Sequence, residues 1–76
     1  MKDAELNLRE VLALNIRVAR TRKQLTQEAL AEMAGISVKH VTKIENAQVT
    51  TSIYFVDRIA KALDVTIDEL VTEYKK

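Results

Sequence analysis

Cysteine, proline and tryptophan are absent from this 76-residue chain, and Gly35 is its only glycine. Without cysteine there is no disulfide framework and no thiolate metal site, and a cytoplasmic setting is the natural expectation. Without proline, and with one glycine, the usual punctuation between helices is almost missing. Aromatic residues are reduced to Tyr54, Phe55 and Tyr74. No apolar run approaches the roughly 18 residues of a membrane span. The opening MKDAELNLREV carries Asp3, Glu5 and Glu10 and no continuous apolar stretch, so no secretory signal is read there. Catalysis finds no support. There is no nucleophile elbow, glycine-rich phosphate loop or metal-ligand cluster. His40 is the only histidine and lacks partner ligands at metal-binding spacing. Glu28 and Glu32 lie one turn apart, a pattern that a solvated helix face explains. No enzyme, cofactor, membrane or small-molecule ligand is therefore implied.

The chain is 47% hydrophobic and 30% charged, which describes one small globular domain over residues 1–76. A core this small often completes its burial by pairing with a second copy. The net charge is only +1, but it is unevenly spread. Residues 17–46 hold six basic residues (Arg17, Arg20, Arg22, Lys23, Lys39, Lys43) and three acidic ones, net +3, and each flank sums to −1. A local field of that kind can steer a polyanion.

Helical periodicity runs throughout, with no strand alternation. Leu8, Leu12, Ile16 and Ala19 form the stripe of a long first helix ending near Lys23. Thr26 is read as the N-cap of a second helix with Ala29, Leu30, Met33 and Ala34 inward. Ser37 caps a third, with Val41 and Ile44 inward. Thr51 or Ser52 caps a fourth, with Ile53, Val56, Ile59, Ala60 and Leu63 inward. Thr66 caps a short fifth, carrying Ile67, Leu70, Val71 and Tyr74. Helices two and three can share one core only if the chain reverses sharply between them. Gly35 supplies that pivot, because a left-handed backbone costs glycine nothing.

The stretch NIRVARTRKQLTQEALAEMAGISVKHVTKIENAQ, followed by IAKALDVTIDEL, resembles the phage Cro/repressor (XRE-type) helix-turn-helix family. The resemblance spans roughly residues 12 to 71 and rests on several motifs together. These are Leu25–Glu28, Leu30-Ala31, Ala34–Ser37, Ile44–Asn46 and Ile59–Leu63. It implies an all-α, five-helix, lambda-repressor-like fold with its helix-turn-helix at about residues 27–46. The third helix of such proteins lies in the major groove.

Carried onto this sequence, the resemblance makes Ser37, Val38, Lys39, His40 and Lys43 the base-reading residues. Arg17, Thr26, Gln27, Thr42, Asn46 and Ser52 become phosphate contacts. Arg20 and Glu45 form a structural pair beside the structural Gly35. The implied protein is a cytoplasmic, sequence-specific transcriptional regulator, a repressor or controller that binds double-stranded DNA at an inverted repeat as a homodimer. Helices four and five or the chain ends must supply the pairing surface, with Val65, Ile67, Val71 and Tyr74 as candidates. The alternative is a protein-interaction module that keeps the fold without DNA readout. The chain departs from the family at Gln24 and Ala47, where relatives carry glycine. Alanine tolerates a left-handed backbone poorly, so the third helix is expected to end differently, with Asn46 taking that conformation.

Overall fold

Five polar side chains start five helices. Asn7 accepts a hydrogen bond from the Glu10 amide, Thr26 from Ala29, Ser37 from His40, Ser52 from Phe55 and Thr66 from Glu69. Each satisfies one otherwise unpaired amide of a first turn, a contribution of about 1 kcal/mol. In the Asn7–Glu10 and Thr66–Glu69 pairs the glutamate also accepts from the cap's own amide, closing the cap in both directions. The computed structural model describes residues 7–73. Its elements are α1 (Leu8–Arg22), α2 (Gln27–Ala34), α3 (Val38–Glu45), α4 (Ile53–Leu63) and α5 (Ile67–Val71). Among the described residues there is no strand, so the architecture is the expected all-α, five-helix one. Of the segment before Leu12, expected to extend the first helix, residues 8–11 belong to α1 and Asn7 caps it; residues 1–6 lie outside the described residues, as does Tyr74.

The four links share one closing device. After α1 the amide of Leu25 reaches back to the Arg20 carbonyl and that of Gln24 to Thr21. Ile36 and Gly35 do the same to Ala31 and Glu32, Gln48 and Ala47 to Lys43 and Ile44, and Val65 and Asp64 to Ala60 and Lys61. This paired closure requires one left-handed residue just past the helix. Gln24 (φ 60°), Gly35 (φ 75°), Ala47 (φ 59°) and Asp64 (φ 61°) fill that place. Asn46 stays at φ −94°, so the expectation that it would take the left-handed conformation is corrected. The back-bond from Gln48 fixes the reversal one residue later, at Ala47, despite the Cβ.

The core is drawn from every helix. Leu12 and Ile16 of α1 meet Leu30, Ala31 and Ala34 of α2, Val41 and Ile44 of α3, Val56, Ile59, Ala60 and Leu63 of α4, and Leu70 of α5. Three expected core residues are outside it: Leu8, Met33 and Ile53 are 53%, 52% and 66% exposed. Leu8 and Ile53 are the first residues of their helices and project past the end of the core. α2 packs through Leu30, Ala31 and Ala34, and the small side chains let it approach α4 closely, which turns Met33 outward. Val11 and Ala13 are buried in addition, because α3 and α5 both pack on α1. Asn15 ties α1 to the chain's end, donating from Nδ2 to the Leu70 and Thr72 carbonyls at 2.9 Å each.

Removing the Cβ where the closure is left-handed should stabilise the fold. Ala47→Gly is expected to gain about 1 kcal/mol. That corresponds to a rise in Tm of about 4–8 °C for a domain of this size, measured by thermal melting. Ala47→Val should lower Tm.

Candidate nucleic-acid interface

α3 divides into two faces. Val41, Ile44 and Glu45 are buried. Ser37, Val38, Lys39 and Lys43 are exposed, and His40 and Thr42 are half-buried. Lys39 and Lys43 stand one turn apart, so both ammonium groups lie on one side of the helix. Neither is in an ion pair with a described residue. Val38, at the helix start, is 40% exposed, an apolar contact beside two cations.

The buried side of α3 carries a charge. Glu45 is 2% exposed. Arg20 of α1 meets it with two nitrogens: Nε donates to Oε2 at 2.7 Å and Nη2 to Oε1 at 3.0 Å. The Arg20 Nη1 donates to the Leu25 carbonyl at 2.8 Å, inside the α1–α2 link. Gln27, the first residue of α2, donates from Nε2 to Glu45 Oε1 at 2.9 Å and accepts from the Thr42 hydroxyl at 3.0 Å. A two-pronged guanidinium and an amide thus satisfy a carboxylate that would otherwise be costly to bury. Among the described residues no buried side-chain polar atom lacks a partner.

Several residues assigned to DNA contact therefore also hold the fold. Gln27 and Thr42 bond to each other across the α2–α3 pair. The oxygens of Thr26, Ser37 and Ser52 accept cap bonds, and each hydroxyl keeps its proton to donate outward. His40 leans on the following segment, with Nε2 2.9 Å from the Thr51 hydroxyl and its ring edge-on to Phe55 at 5.8 Å. Arg17 and Asn46 are exposed and line a shallow depression between α1 and the end of α3. On α5 and the link before it, Val65 and Ile67 are half-buried and Val71 is 37% exposed.

Sequence reasoning missed the Gln27–Thr42 and His40–Thr51 bonds, and it missed Asn15. A polar amide inside a long amphipathic helix was the available signal for Asn15, since asparagine is a weak helix former.

The helix-turn-helix family HTH_3 matches residues 16–70. The chain is 31% identical over 75 residues to the control protein C.SmaI of Serratia marcescens, covering 95% of this chain and 89% of that protein. The crystal structure of the hypothetical transcription factor NHTF from Neisseria superposes with a TM-score of 0.84 at 32% identity, over 95% of this chain and 87% of that one. The restriction-modification controller protein C.AhdI from Aeromonas hydrophila gives 0.79 at 32% identity, over 82% and 94%.

Breaking the buried pair from one side should be severe. Arg20→Met leaves Glu45 charged and unpaired and is expected to cost about 3–5 kcal/mol. Thr42→Val removes only the bond to Gln27 and should cost about 1 kcal/mol. Urea unfolding midpoints would rank the two. Equal losses would show that the Glu45 pair contributes no more than an ordinary hydrogen bond.

Proposed function

The chain belongs to the HTH_3 helix-turn-helix family, and on that premise we propose that this DNA-binding transcriptional regulator is a homodimeric controller reading an inverted-repeat operator. The observation that carries the proposal is the outer face of α3, where Val38, Lys39 and Lys43 stand exposed at helical spacing while the opposite face is locked into the core. A helix held rigidly from behind, with two cations and an apolar group in front, suits the major groove. Lys39 and Lys43 donate to guanine acceptors or phosphates, and Val38 packs on a thymine methyl. The similarity to C.SmaI and C.AhdI along most of the chain supports the controller reading.

Phosphate contacts are assigned to Arg17, Asn46, Thr42 and the starts of α2 and α4. At α2 the amides of Gln27 and Glu28 precede the helix's own hydrogen-bond ladder and lie at the positive end of its dipole. The Gln27 side chain is already engaged by Glu45 and Thr42, so backbone amides and the Thr26 hydroxyl carry that clamp. Ser52 acts likewise at α4, and Ser37 and His40 complete the leading turn of α3. A second copy pairs through Val65, Ile67 and Val71, and the two-fold axis that results sets the half-site spacing. Tyr74, assigned to the same surface, is outside the described residues. No helix among the described residues is long and apolar enough to cross a membrane, and a DNA reader works in the compartment that holds the DNA, here the cytoplasm.

Selection of bound duplexes from a random library, at near-physiological salt, tests this reading. An enriched inverted repeat is the expected outcome; no enrichment would move the chain to the class of interaction modules. On the enriched duplex, Lys39→Ala should lose about 1–3 kcal/mol of binding and relax preference at one base position. Affinity of the unaltered protein should fall steeply as salt rises.

A further inference from the structure

Arg58 of α4 reaches the turn between α2 and α3. Its Nε donates to the carbonyl of Ala34, the last residue of α2. Its Nη1 lies 3.2 Å from the Tyr54 hydroxyl, and the guanidinium carbon sits 5.6 Å from the centre of the Tyr54 ring. The same group lies against Gly35: a Cβ built there would stand 3.1 Å from Arg58 Cζ and overlap Nη2. The side chain is half-buried. The group therefore fills three roles at one place. It satisfies a helix-end carbonyl, puts a cation at the negative end of the α2 dipole, and stacks on an aromatic face. Gly35 is needed for its φ of 75°, and a Cβ there would displace the end of the flexible Arg58 side chain.

We propose that Arg58 is a positioning residue for DNA reading. It latches the turn at residues 35–37 onto α4 and so fixes where the first turn of α3, with Ser37, Val38 and Lys39, enters the groove. Glu45 holds the far end of α3, and Arg58 holds the near end through the turn that precedes it. The proposal rests on the DNA-reading function above.

The test compares Kd for the selected duplex and for a scrambled duplex of equal length and composition, each across a salt series. Arg58→Gln, Arg58→Lys and unaltered protein are measured at a temperature where circular dichroism shows all three folded. A latch predicts that both substitutions lower the ratio of specific to non-specific affinity about tenfold, the scale of one lost base contact. The salt dependence on the scrambled duplex should not change. Lysine fails with glutamine because it keeps the charge but lacks the planar donor that reaches Ala34 while stacking on Tyr54. A direct phosphate contact gives a different pattern. Arg58→Gln then weakens both duplexes alike and flattens the salt slope by about one, and Arg58→Lys restores them; that pattern overturns the proposal. So does an unchanged ratio in the folded Arg58→Gln variant. Should that variant not fold, Tyr54→Leu withdraws the stacking face and the hydroxyl, and the same ratio decides in the same way. If the unaltered protein prefers no duplex, the DNA-reading function itself fails and the proposal falls with it.

Discussion

A carboxylate in the core sets the geometry of this protein. Glu45 is almost fully excluded from water, and an unpaired charge in that position would cost several kcal/mol. Arg20 and Gln27 offset that cost together, one from the last turn of α1 and one from the first residue of α2. Hydrogen bonds to a carboxylate are directional in a way that apolar packing is not. Meeting that requirement therefore places three helices relative to one another at once. Thr42 extends the same network onto the outer half of α3 through Gln27. The orientation of the exposed face of α3 thus follows from what its buried face needs.

Much of the fold was legible because its signals are local. An N-cap involves residues three apart, and four of the five helix starts were read from Thr or Ser before an apolar period; Asn7, the cap of α1, was not. Gly35 announced a reversal by its side chain. Gln24 and Ala47 adopt the same backbone conformation with side chains that disfavour it, so residue type gave no sign. The backbone hydrogen bonds that close these helix ends override propensity at both places. Periodicity also located the inward face of each helix without showing where the core ends along it. Leu8 and Ile53 obey the period and still lie beyond the last packing layer. Met33 obeys it too, but α2 is buried through Leu30, Ala31 and Ala34, and Met33 lies outside that face.

The candidate site divides along the same line. That Lys39 and Lys43 share an outer face follows from 3.6 residues per turn. The Arg20–Glu45 pair followed from the family resemblance and not from any spacing, since the partners are 25 positions apart. The contacts of His40, Thr42 and Arg58 depend on which side chain a neighbouring helix brings near. Their partners are 11, 15 and 24 positions away, and no periodic rule relates them. These side chains tie α3 and the turn before it to neighbouring elements, and they look like ordinary surface polar residues when only the sequence is seen.

Net charge is a poor guide to this molecule for a related reason. The total of +1 includes Glu45 and Arg20, which pair with each other inside the fold and so contribute little of either sign to the field outside. The acidic side chains Asp68 and Glu69 belong to α5, which packs on α1 and α4, whereas α3 packs on α1 and α2. The molecule extends 38 Å along its longest axis, and at physiological salt a charge is screened beyond about 8 Å. A polyanion approaching α3 meets Lys39, Lys43 and the exposed Arg17, and charges farther off than the screening length contribute little. A fold of this size can carry near-zero total charge and still hold an uneven surface field, because what a ligand meets is the local arrangement of charges and not their sum.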